Sequence, residues 1–179
     1  MATPPDELET AEVFEQHHDF VWRSLAHLGV PRAVVDDATQ DVFMVVHRRL
    51  DHYRRDMPMR SWLYGIARRV AYRYRTQAAK SQRPHPVSTS ETKAPDDVVA
   101  IQEAANLVSS FLTDQPPEQR EVFVLAELEG LSGPEIAAAL GAKLNTVYSR
   151  LRLARRQFAR VVKRSQAHAQ REMRHVSAR

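Results

Sequence analysis

The chain has 179 residues, which suffices for one compact domain or two small ones and excludes a large multidomain enzyme. It contains no cysteine. Disulfides, cysteine-ligated zinc, iron–sulfur clusters and thiol nucleophiles are therefore excluded, and the composition fits a reducing compartment. Five glycines against ten prolines, together with long stretches of helical spacing, predict an all-α chain.

The net charge of +4 conceals a segmental order along the chain. Residues 1–47 carry 2 basic and 9 acidic side chains, and residues 48–83 carry 11 and 2. The pattern repeats in the second half. Residues 84–135 carry 2 basic and 10 acidic side chains, and residues 136–179 carry 11 basic side chains and 1 acidic one. Basic blocks attract phosphate polyanions, which favours nucleic acid as the partner, although a solvated charged surface fits the same count.

The first twelve residues are acidic and contain proline, unlike a signal peptide. No apolar run approaches the roughly 20 residues that a membrane span needs. We therefore expect a cytoplasmic protein with no membrane insertion.

Helical spacing predicts three helices in the first half of the chain. The first starts near Phe14 and ends at Gly29-Val30-Pro31, the second covers 35–50, and the third covers about 60–76. The second helix carries a polar face that projects into solvent or towards a partner: Asp37, Gln40, Asp41, Met44 and Arg48.

The third helix combines aromatic and basic residues outside its apolar stripe. One face carries Tyr64, Arg68, Tyr72 and Arg75, and beside it lie Trp62, Arg69 and Arg73. Stacking surfaces joined to positive charge suit a strand of unpaired bases. The alternative is that the aromatic residues belong to the core.

The second half begins after a segment with linker composition. Residues 79–97 contain three prolines and many Ser and Thr, which predicts a flexible linker between two small helical domains. Helices are predicted over about 98–112, 118–129 and 145–164. Between the last two, Ser132-Gly133-Pro134-Glu135 predicts a capping box that starts a very short helix, which Gly141 ends.

This short helix, the glycine turn and the long helix that follows have the pattern of a helix-turn-helix. Val147, Leu151, Ala154 and Phe158 form its apolar stripe. Hydroxyl and guanidinium groups on the exposed face suit base edges and phosphates, and they belong to Thr146, Ser149, Arg150, Arg152, Arg155 and Arg156. The alternative is an αα-hairpin with a basic solvent face.

Both modules resemble extracytoplasmic-function sigma factors, the small sigma subunits of bacterial RNA polymerase. The resemblance rests on residues 36–43 (DDATQDVF), 62–68 (WLYGIAR), 131–137 (LSGPEIA) and 145–151 (NTVYSRL). It implies an N-terminal extension over 1–13, region 2 over 14–78, the linker over 79–97, region 4 over 98–164 and a basic tail over 165–179.

The resemblance also implies partners. Core RNA polymerase would bind the second helix through Asp37, Gln40, Asp41, Phe43 and Met44. The −10 element of promoter DNA would be recognised and opened by Arg60, Trp62, Tyr64, Arg68, Arg69, Tyr72 and Arg73. The −35 element would be read by the six residues of the helix-turn-helix, and an anti-sigma factor is a further expected partner.

Two positions of the third helix depart from the family pattern. Arg69 stands where the family often has Asn, and Arg73 stands where the family usually has Asp. These two departures predict a different promoter preference. The resemblance requires no catalysis, metal or cofactor.

Two other interpretations fit parts of the sequence. A stand-alone helix-turn-helix regulator would bind its promoter without polymerase. An isoprenoid synthase is disfavoured, because the aspartate-rich stretch over 36–41 has its third carboxylate one residue late and no second such motif exists. The neighbours His17 and His18 point about 100° apart on a helix and cannot share one ion without outside ligands.

Overall fold

The computed structural model describes residues 9–80 and 96–176, and every regular element within them is helical. The α-helices are α1 (Thr10–His27), α2 (Val35–Arg49), α3 (Met59–Lys80), α4 (Asp96–Thr113), α5 (Pro117–Phe123), α6 (Gly133–Leu140) and α7 (Leu144–Val176). The all-α prediction is confirmed for this part of the chain. Most of the predicted linker and of the N-terminal extension lies outside the described residues.

The described residues divide into two compact units, which fall within 1–86 with 124–144 and within 87–123 with 145–179. In the first unit, α1, α2 and α3 pack against one another, and α6 packs against α3. The largest side chains of its core are fully buried, among them Val21, Leu25, Val35, Val42, Val46, Leu63 and Ile136. This apolar core fixes which faces of α2 and α3 are left for partners.

The second unit contains α4, α5 and nearly all of α7. An aromatic cluster joins these helices, because the ring of Phe111 lies 5.0 Å from the rings of both Phe123 and Phe158, and the last two are 5.3 Å apart. Val147, Leu151 and Ala154 are buried on α7, as its apolar spacing predicts. The helix continues through the expected tail to Val176, because residues 165–176 contain neither glycine nor proline.

Local sequence signals account for most helix ends. Gly29 and Gly141 follow α1 and α6 with φ of 83° and 61°, a conformation that glycine adopts without steric cost. One predicted helix is interrupted: α5 ends at Phe123 and a π-helical turn follows over Val124–Leu128. In that turn the Glu129 amide donates to the Val124 carbonyl at 3.0 Å, a bond that spans five residues.

Candidate nucleic-acid interface

The polar face of α2 is partly available for a partner. Asp37, Gln40 and Met44 are exposed, and Met44 is an apolar side chain with 54% of its surface open. Phe43 differs from the expectation, since it is 6% exposed and its ring lies 4.8 Å from the ring of Phe14. Phe43 supports α2 from the core side and does not extend the exposed face.

Asp41 is held by two side chains of α3. Its Oδ2 accepts a hydrogen bond from the Arg73 guanidinium and another, at 2.8 Å, from the Tyr74 hydroxyl. Burial raises the pKa of Tyr74, and the bond to Asp41 raises it further. The sequence assigns Asp41 to polymerase and Arg73 to DNA, and the structure places these two residues in contact.

The exposed face of α3 is narrower than the sequence predicts. Arg68, Arg69, Tyr72 and Arg73 are exposed, and Tyr72 presents 71% of its surface. The placement of Tyr64 on this face is wrong, because Tyr64 is only 2% exposed. Each four-residue step on a helix advances by about 40°, so Tyr64 and Tyr72 are about 80° apart and fall on different faces.

A shallow groove between α2 and α3 adds a basic residue that the sequence reasoning missed. Its apolar floor is formed by Val45, Ile66 and Val70, and three guanidinium groups surround it, those of Arg49, Arg69 and Arg73. Arg49 comes from the other helix, so spacing along α3 gave no signal for it. Arg69 and Arg73 belong to the part of α3 that the sequence assigns to DNA, and Arg49 adds a third guanidinium to the same groove from α2.

The N-terminal end of α3 borders a cavity of about 610 Å³. Trp62 lines the cavity, and its indole lies 5.0 Å from the ring of Tyr53. The loop before α3 forms one wall and α6 the other, and the lining residues are His52, Arg54, Asp56, Met57, Pro58, Trp62, Pro134, Glu135 and Ala138. The exposed side of an aromatic ring in such a cavity has the stacking surface to accept a base.

Arg60, at the start of α3, is already engaged. Its guanidinium donates to Glu129 at 3.2 Å and lies 4.4 Å from the centre of the Phe20 ring. Glu129 also accepts two bonds of 3.0 Å from Arg23, and it is 5% exposed. The hydrogen bond to Glu129 raises the pKa of Arg23. Sequence reasoning missed Glu129, whose partners lie 106 and 69 residues away.

The capping box at the start of α6 has formed. The Ser132 hydroxyl accepts from the Glu135 amide at 3.5 Å, and the Glu135 carboxylate accepts from the Ser132 amide at 2.7 Å. Hydrogen bonds from the side chain and then the backbone of Ser132 lower the pKa of Glu135. The charged carboxylate therefore stabilises the helix start, as the sequence predicts.

The residues on the basic face of α7 differ in how far their side chains are exposed to solvent. Arg152, Arg155 and Arg156 are exposed, whereas Thr146 and Arg150 are half-buried. The exposed Ser149 hydroxyl donates to the Thr146 carbonyl at 2.9 Å. Tyr148, missed by the sequence reasoning, is 51% exposed in the first turns of the helix. Its exposure follows from its place next to the buried Val147.

Comparison with known proteins decides the family. Residues 13–81 match the family described as Sigma-70 region 2, and residues 116–158 match Sigma-70, region 4. The ECF RNA polymerase sigma-E factor of Escherichia coli is 31% identical over 146 residues, covering 74% of this chain and 75% of that protein. The chain belongs to the ECF sigma factors.

Further relatives of this sigma factor agree in sequence and in fold. The ECF RNA polymerase sigma factor SigE of Mycolicibacterium smegmatis is 30% identical over 151 residues, 82% of this chain and 58% of that one. CnrH, solved in complex with the cytosolic domain of CnrY, has a TM-score of 0.64 at 27% identity, covering 86% of this chain and 87% of that one. RpoE of Bartonella quintana, solved with the anti-sigma factor NepR, shares the fold, with a TM-score of 0.63 at 20% identity and coverage of 86% and 96%.

As an alternative sigma factor, the chain directs transcription initiation. The region 2 match covers α1 to α3, and the region 4 match runs from the residue before α5 into α7. Among residues 9–80 and 96–176, no helix has both the length and the apolarity needed to cross a bilayer.

Proposed function

We propose that this sigma factor binds core polymerase through the exposed face of α2 and recognises the −10 element through α3. Asp37, Gln40 and Met44 form the centre of the docking face, with Asp41 at its edge beside Arg73. The observation that carries the proposal is that α2 and α3 lie side by side with different chemistry. An acidic face with one exposed apolar side chain borders a basic groove, and α3 also exposes Tyr72.

The α3 side of this surface fits a single strand. Arg68, Arg69 and Arg73 neutralise phosphates, and Tyr72 offers its ring to an unpaired base. The cavity beside Trp62 accepts a base that leaves the duplex. Unstacking a base costs a few kcal/mol, and stacking with the charge contacts offsets it. This binding requires no covalent step, so we assign no catalytic residue.

The second DNA contact belongs to region 4. Arg152, Arg155 and Arg156 lie exposed on α7, the helix that follows the turn, with Thr146, Ser149 and Arg150 nearer its N-terminus. Arginine pairs bidentately with guanine edges and with phosphates, so this face reads the −35 element. Two DNA contacts in one chain explain why the charge pattern alternates twice along the sequence.

A further partner and the compartment follow from the relatives. CnrH binds the cytosolic domain of CnrY, and RpoE of Bartonella quintana binds the anti-sigma factor NepR. These two complexes support an anti-sigma factor as a partner of this chain. Because core polymerase and promoter DNA are its other partners, we assign the chain to the cytoplasm.

Transcription reconstituted with core polymerase tests the assignment of surfaces. Asp37→Arg should weaken core binding and leave the affinity of the free chain for −35 DNA unchanged, because α7 is not altered. Asp114→Arg, which changes an exposed acid between α4 and α5, is the matched control and should keep core affinity. Unchanged core affinity in Asp37→Arg would exclude the α2 face as the docking surface.

A further inference from the structure

The groove between α2 and α3 carries more positive charge than the fold uses. The guanidinium groups of Arg49, Arg69 and Arg73 surround it, and all three residues are exposed. Within residues 9–80 and 96–176, the side chains of Arg49 and Arg69 make no hydrogen bond and no ion pair with another residue. Like charges repel one another, and a concave surface lined by one sign of charge attracts a ligand of the opposite character. The groove is therefore suited to a ligand that is rich in hydrogen-bond acceptors.

Arg73 is held in place before any ligand binds. Its guanidinium donates to the Asp41 carboxylate and lies 5.5 Å from the centre of the Tyr74 ring. The Tyr74 hydroxyl donates to the same carboxylate oxygen at 2.8 Å. A guanidinium has five N–H donors, so the bond to Asp41 leaves further donors for a ligand. These donors point in a defined direction, which lowers the entropy that binding would cost.

The floor of the groove favours a base over a phosphate. It is formed by the apolar side chains of Val45, Ile66 and Val70. A phosphate has no apolar surface to place against them, whereas every base has a flat face that stacks on or covers such a surface. The groove encloses about 200 Å³, which is room for a single base. The guanidinium groups around the floor would then meet the edge of that base.

The hydrogen-bonding groups around the groove select one kind of base edge. Among the residues that line the groove, the polar side chains are all arginines, and arginine has donors but no acceptor. Guanine carries two acceptors on one edge, O6 and N7, and arginine pairs with both at once. Adenine and cytosine place an amino donor on that edge, and thymine places a methyl group there. Guanine is therefore the base that this groove fits.

We propose that this arginine groove reads an unpaired guanine of the −10 element and that Arg49 of α2 is a specificity-determining residue. The proposal rests on the proposed role of α3 in −10 recognition and adds a residue from the neighbouring helix. Because each guanidinium has several donors, Arg69 and Arg73 also keep their contacts with the phosphates that flank the base. The two departures from the family pattern then change the promoter preference in one direction, towards guanine.

Selection of single strands by the holoenzyme tests this assignment. Core polymerase carrying the wild-type chain selects from a library of DNA single strands whose −10 region is randomised, and sequencing gives the base preference at each position. We expect one position at which guanine is preferred by about 5- to 150-fold, the discrimination that one bidentate arginine contact supplies. At that position 7-deazaguanine, which lacks the N7 acceptor, should lose most of the advantage of guanine.

Two variants of Arg49 separate base reading from charge. Arg49→Lys keeps the positive charge but loses the planar fork, so it should lose the guanine preference and bind strands without that guanine as wild type does. Arg49→Ala should lose the guanine preference as well. Both variants should fold, because Arg49 is exposed. Arg32→Ala is the matched control, since it removes an exposed arginine from the turn before α2, and it should keep the preference.

Three results would overturn the guanine assignment. The first is a wild-type selection in which no position prefers guanine. The second is a guanine preference that survives unchanged in both Arg49 variants. The third is an equal loss of affinity for every strand in Arg49→Ala that Arg49→Lys restores, because the groove would then only neutralise a phosphate.

Failure of the proposed function gives a different result. If holoenzymes with Tyr72→Ala and with Arg68→Ala bind the selected strands as tightly as wild type does, α3 does not form the −10 surface and the guanine assignment is wrong with it. If those variants weaken binding while the Arg49 variants keep the guanine preference, only the reading of guanine by the groove is wrong.

Discussion

Tyr64 and Tyr72 lie two turns apart on α3, and replacing each with alanine should have opposite consequences. Tyr64 is 2% exposed and Tyr72 is 71% exposed. A buried aromatic side chain covers about 150–250 Å². At about 25 cal/mol per Å² this area is worth about 4–6 kcal/mol. Measured aromatic-to-alanine changes in cores cost about 3–5 kcal/mol, so Tyr64→Ala should lower the free energy of unfolding by that amount.

Tyr72→Ala should leave the free energy of unfolding within about 0.5 kcal/mol of wild type, because it removes a surface ring. Its cost should appear in DNA binding, where losing one stacked base is worth about 1–3 kcal/mol. Urea denaturation measures the first quantity, and binding of a −10 single strand to the holoenzyme measures the second. The reasoning is refuted if Tyr64→Ala is as stable as wild type but loses DNA affinity.

Three further predictions concern the capping box, a buried histidine and the basic face of α7. Ser132→Ala should reduce the free energy of unfolding by about 0.5–2 kcal/mol in urea, whereas Ser132→Asp should retain the cap. Burial lowers the pKa of His27 below its ordinary 6.5, so the unfolded chain binds more protons there, and the melting temperature should fall as the pH drops through 6.5. That fall should be smaller in His27→Gln, and an identical pH profile would contradict the assignment. Arg152→Ala should weaken −35 binding and reduce the salt slope by about 1, whereas Arg164→Ala, farther along α7, should not.

Local patterns in the sequence were sufficient for the helices and their ends. The capping box at Ser132, the glycine stops after α1 and α6, and the apolar stripe of α7 depend on neighbours within a few residues. Interactions between residues so close in sequence can be predicted without knowledge of the fold. Two features were not predicted: the π-helical turn that interrupts the helix expected over 118–129, and the end of α7, where no breaker follows residue 164 and the helix continues for 12 residues.

The arrangement of charges was not predictable in the same way. Asp41 and Arg73 are 32 residues apart, and the partners of Glu129 are more distant still. Which acidic side chain pairs with which basic side chain depends on how the helices pack. This packing does not produce a periodic pattern in the sequence. The error at Tyr64 has a related cause, since four-residue spacing drifts around a helix and only the core decides where a face ends.

The π-helical turn over Val124–Leu128 sets the rotational position of Glu129, the residue that follows it. One residue of an α-helix corresponds to about 100° of rotation, and a π-turn accommodates one residue more than an α-turn does. Winding the same residues into a continuous α-helix would swing Glu129 about 100° away from Arg23 and Arg60, whereas deleting one residue here would restore the α-helix and leave Glu129 in phase. The extra residue in this turn thus fixes the rotational position of the Glu129 carboxylate, and a change that straightened the turn at constant length would separate the carboxylate from both arginines without changing its identity.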